Sequence, residues 1–132
     1  MTMTDPIADM LTRIRNASRV SIRRVDIPAS KLKRKISEVL LENNFIRSID
    51  YVEDGLQGIL RIRLRYTPDG ISVIKGIKRI SRPGLRIYKN KKDLIKGSKQ
   101  PGMLVLSTSS GVMNEKEAIR RGISGEALFR IW

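Results

Sequence analysis

The chain contains neither cysteine nor histidine. Without thiols there are no disulfides, thiolate metal sites or Cys nucleophiles; without imidazole there is no Ser-His-Asp triad, His zinc ligand or imidazole acid/base chemistry. Aromatics are scarce, with one Trp, three Tyr and two Phe, so the core must be aliphatic. No apolar run approaches the length of a membrane span, and Met-Thr-Met-Thr-Asp-Pro has no basic flank leading into an apolar stretch, so neither a membrane anchor nor a secretory signal is expected. Acidic residues are also in short supply. Lys and Arg number 27 against 13 Asp and Glu, a net charge of +14 on 132 residues. Such a surface attracts polyanions, and release of condensed counterions from a nucleic acid would drive association.

Hydrophobic periodicity divides the chain into a helix-rich and a strand-rich half. Asp5-Pro6 is a helix start, and Ile7, Met10, Leu11 and Ile14 form one apolar face, with Arg13, Arg15, Asn16 and Arg19 on or beside the other. Val20 and Ile22, then Val25 and Ile27, predict a strand with a phase change before Pro28. Ser30 is placed to cap a second helix with Leu32, Ile36, Val39 and Leu40 as its stripe. Lys31, Lys33, Arg34 and Lys35 crowd its first turns, where positive charge opposes the helix dipole; the cluster is either a solvated face or a site for an anion. In "GILRIRLRY", Leu60, Ile62, Leu64 and Tyr66 alternate with Arg61, Arg63 and Arg65, the pattern of a half-buried strand with an arginine ladder on its open face.

Thr67 to Gly70, "TPDG", is a turn and the expected hinge between two packed subdomains. Residues 75–99 then hold ten Lys or Arg, with Asp93 the sole acid. "IKRI" and "LRIYKN" predict two strands joined at Arg82-Pro83-Gly84, Leu104 to Leu106 a further strand, and "EALFRIW" a terminal one. Between them Asn114 and Glu117 have capping-box spacing and Gly122 the place of a helix C-cap.

Little here supports catalysis. Glu115 and Glu117 are two apart and do not share a helix face. Gly97-Ser98-Lys99 lacks the glycine five residues upstream that a phosphate loop requires, since Lys92 stands there. The crowded hydroxyls of Ser107, Thr108, Ser109 and Ser110 have no His and no Ser-x-x-Lys to activate them. They suit either of two roles: a hydrophilic turn bonded to its own backbone, or recognition of RNA 2′-OH groups and base edges. Tyr88, in the basic strands nearby, is likewise either core filler or a stacking platform for an unpaired base. A carboxylate-and-magnesium RNA-processing enzyme and a nonspecific DNA-compacting protein are the competing readings. The dispersed acids argue against the first, and competition by random duplex DNA separates the second from site-specific RNA binding.

Five ordered segments, "TDPIADMLTRIRNA" (4–17), "IPASKLKRKISEVL" (27–40), "RPGLRIY" (82–88), "STSSGVM" (107–113) and "SGEALFRIW" (124–132), resemble bacterial-type small-subunit ribosomal protein S-eight, essentially end to end. The resemblance implies an α+β fold: an N-terminal α/β subdomain (residues 1–66) packed on a C-terminal mainly antiparallel β subdomain with a short helix (67–132). It implies a primary ribosomal-RNA-binding protein that binds the central domain of 16S ribosomal RNA and helps assemble the platform, and the missing His and Cys with the dispersed acids add the expectation of no catalysis, cofactor or metal. Its implied partners are that RNA, neighbouring small-subunit proteins and, as in some bacterial relatives, its own messenger RNA, and its place is the ribosome of a cytoplasm or organelle stroma rather than a membrane. By family pattern, Ser107, Thr108 and Ser109 meet a distorted internal loop of an RNA helix, with Gly125 and Glu126 beside them, while Thr4, Arg15, Asn16 and Lys31 meet a second RNA segment. Tyr88, Lys89, Lys91 and Arg86 are the remaining candidates, taken from the basic strands. Two departures from the pattern stand out, Ser110 where relatives usually carry Lys and Ser124 where they often carry Gly.

Overall fold

The computed structural model describes residues 5–132, so the expectation at Thr4 lies outside the described residues. The chain falls into two compact units, Pro6–Lys75 and Gly76–Trp132, the second including Asp5. The turn at Thr67 to Gly70 is internal to the first unit. Beyond it the chain returns to the first sheet, with Tyr66 bridged to Ser72 and the Val73 N–H donating to the Arg65 carbonyl at 3.0 Å.

In the first unit, α1 (Pro6–Arg19) and α2 (Lys31–Glu42) cover one face of a three-stranded antiparallel sheet of β1 (Arg24–Pro28), β3 (Ile59–Leu64) and β2 (Ile46–Val52), in that order. Met10, Leu11 and Ile14 of α1, Ile36 and Leu40 of α2, and Ile27, Leu60 and Ile62 of the sheet are all at most 1% exposed. Helical and strand periodicities thus converge on one aliphatic core. The strand expected from Val20 begins only at Arg24: Ser21 takes a φ of +59°, and Val20 and Ile22 stay exposed on the turn.

The stripe of α2 also differs from the sequence reading. Leu32 is exposed and Lys33 takes the inward position, 7% exposed, with its alkyl stem covered and its Nζ donating to the Pro28 carbonyl at 3.1 Å. Ser30 caps the helix as its position predicts, accepting from the Lys33 N–H at 3.2 Å.

The second unit is built on a five-stranded antiparallel sheet. β8 (Gly125–Ile131) is its spine, flanked on one side by β6 (Met103–Thr108) and then β7 (Gly111–Asn114), and on the other by β4 (Ile77–Arg79) and β5 (Tyr88–Lys89). The two strands expected on either side of a turn at Arg82-Pro83-Gly84 are present, and both pair with one edge of β8 rather than with each other. Ile77 to Arg79 pair with Ile131 to Phe129, and Tyr88 and Lys89 pair with Glu126 and Gly125. The Arg82–Leu85 turn only carries the chain along that edge.

Two short helices are present rather than one. α3 (Lys91–Gly97) follows an Asn90/Asp93 capping box that the strand reading of "LRIYKN" concealed. α4 (Glu115–Arg121) is capped by Asn114 and ends at Gly122, whose φ of 69° is the left-handed C-cap its sequence position predicts. Leu94, Leu104, Leu106, Met113, Ala118 and Ala127 form the core between these helices and the sheet. At the edge of this unit Asp5 receives a two-pronged ion pair from Arg79, at 3.1 and 3.3 Å.

Candidate nucleic-acid interface

One end of the second sheet gathers most of the hydroxyl, aromatic and basic residues singled out in the sequence. The β6–β7 hairpin turns at Ser109-Ser110, and Gly111 follows with a φ of +111°, a conformation that β-carbon-bearing residues resist. Because β8 and β5 end at the same level, two cross-strand rows form. Tyr88, Glu126, Ser107 and Val112 lie side by side in one, and Lys89, Gly125, Thr108 and Gly111 in the next. Adjacent strands are about 4.8 Å apart, so each row spans three strand spacings, about 14 Å.

The rows divide their chemistry. The Thr108 hydroxyl donates to the Gly111 carbonyl at 2.8 Å and accepts from the Ser110 N–H at 3.1 Å, so it belongs to the turn itself. Neither the Ser107 nor the Ser109 hydroxyl has a hydrogen-bond partner among the described residues, and Ser109 is exposed at the tip. The turn reading and the recognition reading of this loop are therefore met by different residues. Tyr88 is 69% exposed, which removes the core-filler alternative. Glu126 is largely covered and held by Arg86, whose Nη1 lies 3.2 Å from Oε2, so its carboxylate is aimed before any ligand arrives. Gly125 is required by its neighbours: a β-carbon there would stand 2.6 Å from the Ser107 carbonyl oxygen.

Lys91 opens α3 and is exposed, two residues past the end of β5. Arg15, Asn16 and Lys31 lie in the first unit, Arg15 half-buried and Asn16 exposed on α1, Lys31 exposed at the start of α2. They are not part of the hairpin rows. Val112 and Gly111 complete the rows but were not singled out in the sequence; the available signal was a two-residue loop closed by glycine between alternating runs.

Glu115 and Glu117, the two acids of α4, serve structure. Glu117 takes ion pairs from both Arg120 and Arg121, which hold its carboxyl at about pKa 2 through hydrogen bonds first and charge second. Glu115 is buried, accepts from the Leu104 N–H at 3.3 Å and lies 3.7 Å from Arg130. Among the described residues no three acids come together in a way that could hold a metal ion, and no helix is long and apolar enough to cross a membrane.

A basic α+β protein with hydroxyls, an exposed tyrosine and cations gathered on one sheet end has the chemistry of a nucleic-acid-binding module. Comparison with known proteins gives the particular family. A family model described as Ribosomal protein S8 matches residues 5–132. The small ribosomal subunit protein uS8 of Natranaerobius thermophilus is 52% identical over 132 residues. The proteins of the same name from Geobacillus kaustophilus and Clostridioides difficile are 50% and 48% identical, and in each case the match covers all of both chains. The chain belongs to the ribosomal protein S8 family.

Proposed function

We propose that this chain is a structural, non-catalytic RNA-binding protein of the small ribosomal subunit, which binds the central domain of 16S ribosomal RNA and helps assemble the platform beside neighbouring subunit proteins. The observation that carries the reading is the pair of cross-strand rows at the end of the second sheet. Ser107 and Ser109 present unengaged hydroxyls, Tyr88 offers an exposed ring, and the Arg86-held Glu126 presents an acceptor to base amino or 2′-OH groups. Lys89 and Lys91 flank them with charge for phosphates. Hydroxyls, the ring and the held carboxylate therefore read a distorted, opened part of an RNA helix while the cations fix its position. A messenger RNA carrying the same internal loop would be bound by the same rows.

Chemical footprinting on small-subunit ribosomal RNA tests this. The expected result is protection of an internal loop in the central domain that survives excess random duplex DNA at physiological salt and is lost with Ser107→Ala. Diffuse protection that the DNA competes away would reduce the protein to a nonspecific polycation.

A further inference from the structure

The arginine ladder of β3 is not used by the hairpin rows. β3 is the central strand of the first sheet, and the face it presents away from α1 and α2 is graded in charge. Asp26, Arg61 and Asp50 form one cross-strand row, and Arg24, Arg63 and Ser48 form the next. The first row carries one arginine between two carboxylates: Arg61 donates to both oxygens of Asp26, at 3.1 and 3.3 Å, with Asp50 on its other side. The second is not. Arg24 and Arg63 are directly opposite one another, a like-charge pairing that opposes strand association at a Cβ separation of about 5 Å. Arg24 shares Asp26 at 3.7 Å, whereas Arg63 has no carboxylate partner among the described residues. Arg65, two residues further along the same face, meets only the neutral amide oxygen of Asn44, at 3.3 Å. Arg24, Arg63 and Arg65 are all exposed. The hydrogen bonds from Arg61 first, and then the charges of Arg61, Arg24 and Arg63, hold the Asp26 carboxyl below its usual range, so Asp26 stays ionised and is satisfied chiefly by Arg61.

We propose that this cationic end, centred on Arg24 and Arg63 and distinct from the α1 and α2 residues Arg15, Asn16 and Lys31, is a further RNA-contact surface that grips phosphodiester backbone away from the loop read by the serine hairpin. The proposal rests on the RNA-binding reading above. Guanidinium groups bind phosphate oxygens in two-pronged fashion, and a phosphate between Arg24 and Arg63 would turn their repulsion into a shared attraction. The apolar row of this face, Pro28, Ile59 and Val52, lies beyond Asp26 and Arg61, so the cationic end itself is charged or hydroxylic and lacks the desolvated apolar centre a protein interface needs. Successive arginines on the strand are about 6.7 Å apart, so a continuous anionic strand can engage more than one of them. The contact is indifferent to base sequence and adds affinity and orientation rather than discrimination.

The test is a salt titration of the full chain on two RNAs: a central-domain fragment with its flanking helices, and a minimal hairpin carrying only the footprinted internal loop. The double variant Arg24→Gln/Arg63→Gln should flatten the slope of log affinity against log salt by about 2 on the fragment, about 1 per lost phosphate contact, and leave the hairpin slope unchanged. Arg63→Lys, which keeps the charge, should retain most of the slope. The urea midpoint of the double variant should equal or exceed that of the parent, because a cross-strand repulsion has been removed. If the double variant is destabilised, Arg63→Gln alone decides the matter through a slope change of about 1. A fragment slope identical to the parent's, with the hairpin still bound specifically, overturns this proposal alone and leaves the face to another partner such as an acidic protein segment. Failure of the parent to prefer either RNA over random duplex would overturn the serine-hairpin reading and this one with it.

Discussion

The serine hairpin and the arginine face of β3 begin from the same sequence signal, alternation along a strand, and use it in opposite ways. In β3 the apolar phase, Leu60, Ile62 and Leu64, enters the core and the other phase is guanidinium, so what reaches solvent is charge with little geometric demand. At the end of β6 the alternation gives way to hydroxyls, and neighbouring strands add an exposed ring and an oriented carboxylate. The first surface can hold any phosphate chain; the second suits a ligand of particular shape. Specificity thus belongs to the hydroxyls, the ring and the oriented carboxylate, and salt-dependent affinity to the cationic groups.

The largest way to break the comparison is to dismantle one side of it. Phe129, 0% exposed on β8, supports the strand that carries Gly125 and Glu126. Phe129→Ala should cost about 3–5 kcal/mol in urea unfolding and abolish discrimination between cognate and unrelated RNA. Ser107→Ala is milder, removing an unengaged hydroxyl and costing about 1–3 kcal/mol on the cognate RNA with the salt slope unchanged. Equal loss on an unrelated hairpin, or no loss, would make the loop merely a turn. Thr108→Ala should weaken the same RNA for a different reason, the loss of the bonds to Gly111 and Ser110, so Thr108→Ser should restore it. Lys89→Gln or Lys91→Gln should flatten the salt slope by about 1 each if either touches phosphate, weakening cognate and unrelated RNAs alike.

The smallest expected effect concerns pH. Glu117 has a folded pKa of about 2 against an ordinary 4.5, because Arg120 and Arg121 bond its ionised form. The stabilisation is therefore present above about 4.5 and is lost as pH falls through about 2. Carboxyl NMR should show Glu117 titrating well below the other glutamates, and Glu117→Gln should flatten the acid limb of stability over that window without altering RNA binding at neutral pH.

Where local chemistry and tertiary packing agree, the sequence was a sufficient guide. The stripe of α1, the Ser30 cap, the alternating β3 and the Gly122 C-cap each depend on residues within a turn or a strand length, and each stands as expected. Reading failed where a distant neighbour decided. Lys33 is buried rather than Leu32 because the Pro28 carbonyl receives its ammonium group. That Ile77 to Arg79 and Tyr88-Lys89 both pair with β8, far along the chain, and not with each other could not be read from their own residues. α3 was hidden because its capping box sits inside what scans as a basic strand.

By itself the sequence determined the exclusions and the charge: no thiol or imidazole chemistry, an aliphatic core, and a surface made for polyanions. Those properties are sums over residue types and need no coordinates. Which hydroxyl serves the turn and which remains unengaged, which arginine is neutralised and which faces a like charge, were decided only by register. Strands separated by many residues in sequence set those pairings, and the energy of each group depends on the neighbour the pairing assigns to it.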